Sequence, residues 1–260
     1  MWTFLKKLYH KLASPPHFYK LAPTFIAWLA IPGYLLIAYA LIAGLYFAPI
    51  EVGQGGGGQG ERFRMIYVHV PAAYLSMMGY VIMAVAGAIG LIWRMKLAHA
   101  VAASSAPVGM AFTFLALATG SIWGASTWGT WWEWGDPRLM SELVLLFLYI
   151  GYMALRGAID DLARADKASA VLAIVGVVNI PIIHYSVVWW TSLHQGSTLM
   201  AEEGSGMQDT AQLYPLLAAI LGFTLVYGSM LLTRVRTEVL IRERRTRWVK
   251  ERVLSTEQSL

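Results

Sequence analysis

The stretch Trp123-Gly-Ala-Ser-Thr-Trp-Gly-Thr-Trp-Trp-Glu-Trp-Gly-Asp-Pro-Arg138 lies between two long apolar runs, and the rest of the chain is organised around it. It holds five of the eleven tryptophans, Trp123, Trp128, Trp131, Trp132 and Trp134. Its glycines and proline argue against one continuous buried helix, so a loop is predicted. A few tryptophans at a membrane surface are ordinary anchors. Five so close together predict the floor of a site for a large, flat, apolar ligand.

The composition predicts an all-α integral membrane protein. Hydrophobic residues make up 57% of the chain and charged residues only 13%. The apolar residues form blocks of about twenty, the length that crosses a hydrocarbon core of about 30 Å. Six transmembrane helices are predicted, at 23–48, 65–93, 101–122, 139–155, 168–188 and 213–232. The chain has no cysteine, which excludes disulfides, thiolate metal sites and thioether attachment of haem to this chain.

The distribution of positive charge predicts the topology. Six spans place both termini on one side of the membrane, and seventeen of the twenty Lys and Arg residues lie on that side. The positive-inside rule therefore predicts cytoplasmic termini. The predicted organisation is a cytoplasmic arm at 1–22, a six-span domain at 23–232 with outer loops at 49–64, 123–138 and 189–212, and a basic cytoplasmic tail at 233–260. The tail is interpreted as an orientation signal in contact with membrane lipids, or as a docking surface for a cytoplasmic partner, and not as a nucleic-acid site.

Two histidines are predicted near the outer surface. His69 stands at the outer end of the second span and His184 at the outer end of the fifth. A helix rises about 1.5 Å per residue, so both lie within about 10 Å of that surface. Ionisable residues inside a membrane are candidates for function. We therefore expect the two side chains to face each other across a bound metal.

Haem fits this set of residues better than a bare metal ion. Zinc takes three or four ligands and copper often takes methionine, and no spacing here supports either. Haem iron needs only one or two axial ligands, for which His69 and His184 are predicted, and the tryptophans supply apolar surface. Arg64 and Arg138 are candidates for the propionates, although Arg138 could instead pair with a neighbouring acid. His194, in a polar loop, is predicted to be solvated or to support the site indirectly.

At these residues the chain resembles a known family. The tryptophan stretch, continued by Ser141-Glu142-Leu143, resembles the "WWD" signature of haem-handling proteins, and within that group the chain is similar to the cytochrome c maturation protein C family. Three further motifs carry the resemblance: Tyr67-Val-His-Val-Pro-Ala-Ala73, Asn179-Ile-Pro-Ile-Ile-His-Tyr-Ser-Val187 and Trp190-Thr-Ser-Leu-His-Gln-Gly-Ser197. The chain departs from the family pattern where Gly135 precedes Asp136, Pro137 follows it, and Met140 replaces a threonine.

The resemblance implies a role in haem delivery during c-type cytochrome biogenesis. Such a protein holds haem b non-covalently at the periplasmic face of the bacterial inner membrane, with His69 and His184 as axial ligands and Asp136 and Arg138 in the site. It passes the haem to a periplasmic haem chaperone. Its other partners would be ABC-type ATPase and permease subunits and a small membrane subunit. The protein would then not be an enzyme, and any ATPase would be a separate subunit.

Two other classes of function stay open at this point. A haem lyase of the same WWD group would carry more spans and additional histidines. A bis-histidine electron-transfer cytochrome or a quinol oxidoreductase subunit would bury haem between helices, whereas here the aromatic residues concentrate in a loop.

Overall fold

The structure of the protein, a computed structural model, describes residues 14–50, 59–194 and 209–257. Parts of the predicted N-terminal arm, of the loops at 49–64 and 189–212 and of the tail lie outside these residues. Within the described ranges the regular secondary structure is helical, and six helices are long and apolar enough to cross a membrane. The predicted class, an all-α protein with six spanning segments, is confirmed.

The helices follow one another with short connections. They are α1 (Pro15–Ile42), α2 (Ile66–Trp93), α3 (Lys96–Thr127), α4 (Pro137–Gly157), α5 (Leu162–Gly176), α6 (Asn179–Trp189), α7 (Thr210–Arg242) and α8 (Arg247–Glu257). A π-helical turn, Ala43–Phe47, extends α1, and a 3₁₀ turn, Glu61–Met65, leads into α2. The fifth predicted span is broken into α5 and α6 around Val177 and Val178, so its two halves can take different directions.

Most helices extend past the predicted spans. The third span was predicted to end at residue 122, but α3 continues to Thr127, so Trp123 is helical and the predicted loop at 123–138 is only 128–136. Similarly, α7 continues to Arg242, well into the predicted tail. Hydropathy marks only the part of a helix that would lie in hydrocarbon, and a helix does not have to end where that part ends.

The hairpin of α2 and α3 forms the centre of the bundle. It packs against α7 on one side and against α4 and α5 on the other, while α1 packs mainly on α7 and α6 mainly on α4. Small residues allow the close approach. Gly109 on α3 lies directly under the Tyr149 hydroxyl of α4, where even an added Cβ would clash. The same hydroxyl donates a hydrogen bond to the Ser76 carbonyl, 2.8 Å away.

A network of buried charges joins three helices at the end of the bundle that carries the chain termini. Arg242 on α7 binds both carboxylate oxygens of Asp166 on α5, at 2.7 and 2.8 Å. Arg156 on α4 donates to Glu238 on α7 at 2.5 Å. Buried charges are tolerated when each has a partner. The opposite end of the bundle, which we call the tryptophan end, contains residues 128–136 and 190–194 and is built differently.

Candidate functional site

A cleft opens at the tryptophan end among α2, α3, α4 and α6. About 360 Å³ of atom-free space lies in and above it, part of which is open solvent, so the cleft can enclose only part of a large ligand. Its lining residues are His69, Ala73, Met77, Ala116, Leu117, Gly120, Arg138, Leu139, Glu142, Ile183 and His194. The lining is apolar apart from two histidines, one cation and one carboxyl group. A large flat ligand would therefore lie partly in the cleft and partly against its rim.

The ring of His69 is oriented by a hydroxyl on α3. Its Nδ1 lies 3.0 Å from the Thr119 hydroxyl, and that hydroxyl lies 2.7 Å from the Leu115 carbonyl. A hydroxyl has one proton to donate. When Thr119 gives this proton to the carbonyl, the contact with His69 is a hydrogen bond only if Nδ1 carries a proton and donates to Thr119. Nε2 is then the unprotonated nitrogen, and it has no hydrogen-bond partner among the described residues.

His194 reaches the same cleft from the segment after α6. Its side chain is 15% exposed, and its Nδ1 faces the Asp136 carboxylate at 3.5 Å, slightly longer than an ordinary hydrogen bond. The ring also packs edge-on against Trp128, with centroids 4.9 Å apart. A carboxylate beside Nδ1 favours the proton on that nitrogen, which leaves the lone pair on Nε2. In both histidines of the cleft, Nε2 is thus the nitrogen with a lone pair for a metal.

Asp136 holds this arrangement together. It is the N-cap of α4, where one carboxylate oxygen accepts from the Arg138 and Leu139 backbone N–H groups, both at 3.0 Å. The other oxygen accepts from the Ser192 hydroxyl at 2.7 Å and the Leu193 N–H at 2.8 Å. The additional Gly135 fits into a turn closed by a bond from the Asp136 N–H to the Glu133 carbonyl. Asp136 therefore ties the segment that carries His194 to the start of α4, and its oxygens are fully occupied.

The electrostatics keep His194 neutral and Asp136 ionised at neutral pH. The pKa of His194 is lowered to about 4, mainly by burial and then by the positive charge of Arg138, and Asp136 only partly opposes these two effects. Burial alone would raise the pKa of Asp136, but hydrogen bonds from the Leu139 and Leu193 N–H groups and the Ser192 hydroxyl outweigh it, so the pKa falls below its usual value. A neutral imidazole is the form that binds a metal.

The two predicted arginines have different environments. Arg138 lines the cleft, and its guanidinium makes no hydrogen bond or ion pair with any residue that the structure describes. The predicted alternative, an ion pair with Asp136 or Glu133, is not formed. Arg64 does not line the cleft: it pairs with Glu61 at 2.5 Å and donates to the Gly44 carbonyl at 2.7 Å. Of these two arginines, only Arg138 presents its guanidinium to a ligand in the cleft.

The five tryptophans occupy three kinds of position. Trp123 packs edge-on against His69 at 5.6 Å between centroids, as Trp128 does against His194. Trp132 is half-buried. Trp131 and Trp134 are 66% and 72% exposed. None of them lines the cleft itself, so the predicted aromatic floor is better described as a support for the two histidines and an exposed rim, formed by Trp131 and Trp134.

His184 and His194 exchange the places that the sequence predicts for them. His184 is exposed, packs against Tyr185 and is absent from the cleft, which its neighbour Ile183 lines instead. Successive residues point about 100° apart around a helix, and on α6 it is Ile183, not His184, that is directed toward the cleft. Of the two predictions for His194, solvation does not agree with the structure, because the ring packs against Trp128 and faces Asp136; the other, an indirect role in the site, stays a prediction. His194 lies in one of the four motifs that carry the family resemblance, and this motif is the sequence signal that could have identified it as a residue of the cleft.

Glu142 is a further cleft residue that the sequence does not single out. It lies one turn after Arg138 on α4, is only 7% exposed and has its Oε1 2.6 Å from the Ser76 hydroxyl on α2. A single glutamate near the start of an apolar segment carries no sequence signal for a role. Only the packing of α4 on α2 shows that its carboxyl group lies in the cleft.

The fold and the site define a class: a multi-pass helical membrane protein with a cleft at one end that is lined by two histidines and by an arginine without an ion pair among the described residues, beside a segment of exposed tryptophans. The heme exporter protein C family matches residues 8–250 of this chain. The chain is 48% identical to heme exporter protein C of Escherichia coli (strain K12) over 254 residues, which cover 98% of each protein. It is 40% identical to heme exporter protein C of Haemophilus influenzae over 250 residues, 96% of this chain and 97% of that one. The chain belongs to the heme exporter protein C family, which confirms the resemblance found in the sequence.

Proposed function

We propose that this protein binds haem b non-covalently at the outer, periplasmic face of the bacterial inner membrane and transfers it to a periplasmic haem chaperone during c-type cytochrome biogenesis. Haem is its substrate, and the protein acts by binding and transfer, not by catalysis. The similarity to heme exporter protein C supports a role in haem handling. We further propose that ABC-type ATPase and permease subunits and a small membrane subunit complete the complex.

One observation carries this proposal: His69 and His194 line a single cleft, and each keeps Nε2 free while a polar neighbour faces Nδ1. Histidines that bind a metal usually direct the other ring nitrogen to a carboxylate, a carbonyl or another polar group, which sets the tautomer. We therefore assign the axial ligands to His69 and His194. The prediction that paired His69 with His184 lacks this geometry, because His184 lies on the exposed face of α6.

The remaining residues of the site suit the rest of the porphyrin. Its apolar faces would lie against the apolar lining and the tryptophan rim, and Arg138 would bind a propionate. Trp131 and Trp134 are exposed in the segment that joins α3 to α4, two of the helices that line the cleft, and we propose that the acceptor protein docks there. The excess of Lys and Arg at the termini supports an orientation with cytoplasmic termini and the tryptophan end in the periplasm.

The role of Arg138 can be tested with haem whose carboxylates are blocked. The variant Arg138→Gln is expected to bind haem about 10-fold or more weakly than the wild type, because it loses a charge-assisted hydrogen bond of about 1.5–3 kcal/mol. Haem dimethyl ester, which has no propionate charge, should bind both proteins equally. Absorption titrations of the purified, haem-depleted protein measure all four affinities.

Arg64→Gln is the matched control, because Arg64 is already paired and does not line the cleft. It should keep the preference for haem over the ester. If Arg138→Gln also kept that preference, the propionate would not bind at Arg138.

The exposed rim makes a separate prediction about transfer. Changing Trp131 and Trp134 together to alanine should slow haem transfer to the chaperone while leaving haem binding at the two histidines largely intact. Neither side chain packs in the core, so the fold should be unaffected. Transfer can be followed as haem appearing on the purified chaperone. Trp28→Ala is the control, since Trp28 is 75% exposed on α1, away from the cleft; an equal slowing in both variants would contradict a role specific to the rim.

A further inference from the structure

The buried end of the cleft contains one carboxyl group, that of Glu142. It lies one helical turn beyond Arg138, yet no Lys or Arg nitrogen of the described residues is within ion-pair distance of it. Its one polar contact in the described part of the chain is with the Ser76 hydroxyl on α2, at 2.6 Å. Among the described residues, Glu142 therefore has a hydrogen-bond partner but forms no ion pair.

The hydrogen bonds around Ser76 indicate where the proton is. The Ser76 hydroxyl lies 2.7 Å from the Ala73 carbonyl, one turn back on its own helix, and 2.6 Å from Glu142. A serine hydroxyl donates one proton and accepts through its lone pairs. Ser76 has one proton for these two oxygens, and giving it to Glu142 would leave the Ala73 contact without a proton. Both contacts are hydrogen bonds at the same time only when Ser76 donates to Ala73 and Glu142 donates to Ser76. That arrangement requires Glu142 to be the neutral acid.

The electrostatics favour the same protonation state. An ionised carboxylate is costly to bury in an apolar site without a paired cation. If Glu142 were ionised it would also attract the guanidinium of Arg138, because side chains four apart on a helix are neighbours. In the structure the two groups do not form an ion pair, and Arg138 remains available within the cleft.

We propose that Glu142 is a positioning residue held as a neutral carboxylic acid, which donates its proton to Ser76 and so leaves the Arg138 guanidinium unpaired for a carboxylate of the bound substrate. The identity of that carboxylate, a haem propionate, rests on the proposed function. The protonation of Glu142 does not, because it is a property of the protein without substrate.

Infrared spectroscopy of the haem-free, full-length protein tests the protonation directly. The difference spectrum between wild type and Glu142→Gln should contain the C=O stretching band of a protonated carboxylic acid at neutral pH. Glu133→Gln is the control, since Glu133 is exposed in the outer loop, and its difference spectrum should show only a carboxylate. A carboxylate band assigned to Glu142 would overturn the proposal, whether or not the protein binds haem.

A second variant covers the case in which Glu142→Gln does not fold. Ser76→Ala keeps the acid but removes its hydrogen-bond partner, so the acid band should shift in frequency without disappearing. An unchanged frequency would overturn the bond to Ser76. Functionally, Glu142→Gln, which remains neutral, should keep the wild-type preference for haem over haem dimethyl ester. Loss of that preference, with haem still bound, would show that Arg138 depends on an ionised Glu142 and would overturn the positioning role.

Discussion

Replacing His194 by alanine is expected to remove haem from the protein, whereas replacing His184 by alanine should leave the haem content unchanged. His194 offers a neutral Nε2 to the cleft that His69 also lines, while His184 lies outside it. Loss of a group that merely supports a metal ligand costs about 10–100-fold in affinity, so loss of the ligand itself should cost more. The absorption spectrum and haem content of the purified variants provide the measurement.

His69→Ala is the positive control for this comparison and should behave as His194→Ala does. The exposed His184 is a matched negative control, because it is a histidine at the same end of the bundle and its replacement removes no buried contact. Haem retained by His194→Ala and lost from His184→Ala would show that the axial pair is His69 and His184, as the sequence alone suggested.

Asp136→Ala is expected to lower haem affinity about 10–100-fold, the effect of removing a group that orients a metal ligand. The carboxylate accepts two hydrogen bonds from the start of α4 and two from Ser192 and Leu193, so its loss frees the segment that carries His194. Asp136→Asn should have an intermediate effect, because an amide has one acceptor oxygen and can serve only one of the two sides. Haem titrations of the wild type, Asp136→Asn and Asp136→Ala measure whether the affinity falls in that order.

Asp161→Ala is the matched control, because Asp161 caps α5 through one bond to the Arg164 N–H and touches no residue of the cleft. Both alanine variants lose a helix cap worth about 1 kcal/mol of stability. Only Asp136→Ala should lose haem. Equal haem affinities in the two variants, at similarly reduced thermal stability, would show that Asp136 acts only as a helix cap.

Features that depend on neighbouring residues could be predicted from the sequence, whereas features that depend on contacts between distant segments could not. The spans were predictable because hydrophobicity is a local property, although their ends were not: α3 and α7 continue several residues past the apolar segments. The tryptophan stretch was correctly recognised as distinctive. Its division into supports for histidines and an exposed rim depends on packing against α2 and on the segment after α6, which lie far away along the chain.

The partners of the charged side chains could likewise not be predicted from the sequence. Arg64 and Arg138 are equivalent as outer cations in the sequence, but the π-helical turn after α1 presents the Gly44 carbonyl to Arg64, while Arg138 has no such partner in the part of the chain that the structure describes. The occupied carboxylate of Asp136 is one reason: two backbone N–H groups of α4, the Ser192 hydroxyl and the Leu193 N–H use both oxygens.

The sequence by itself determined the membrane class, the six apolar segments and the family, because the length of an apolar segment and a short motif are both properties of the linear sequence. Only the tertiary structure shows which histidine lines the cleft together with His69. A side chain's direction changes by about 100° with each residue of a helix, so depth along the chain could not tell His184 from Ile183. The bond from the Leu193 N–H to Asp136, 57 residues away, folds His194 back over the cleft.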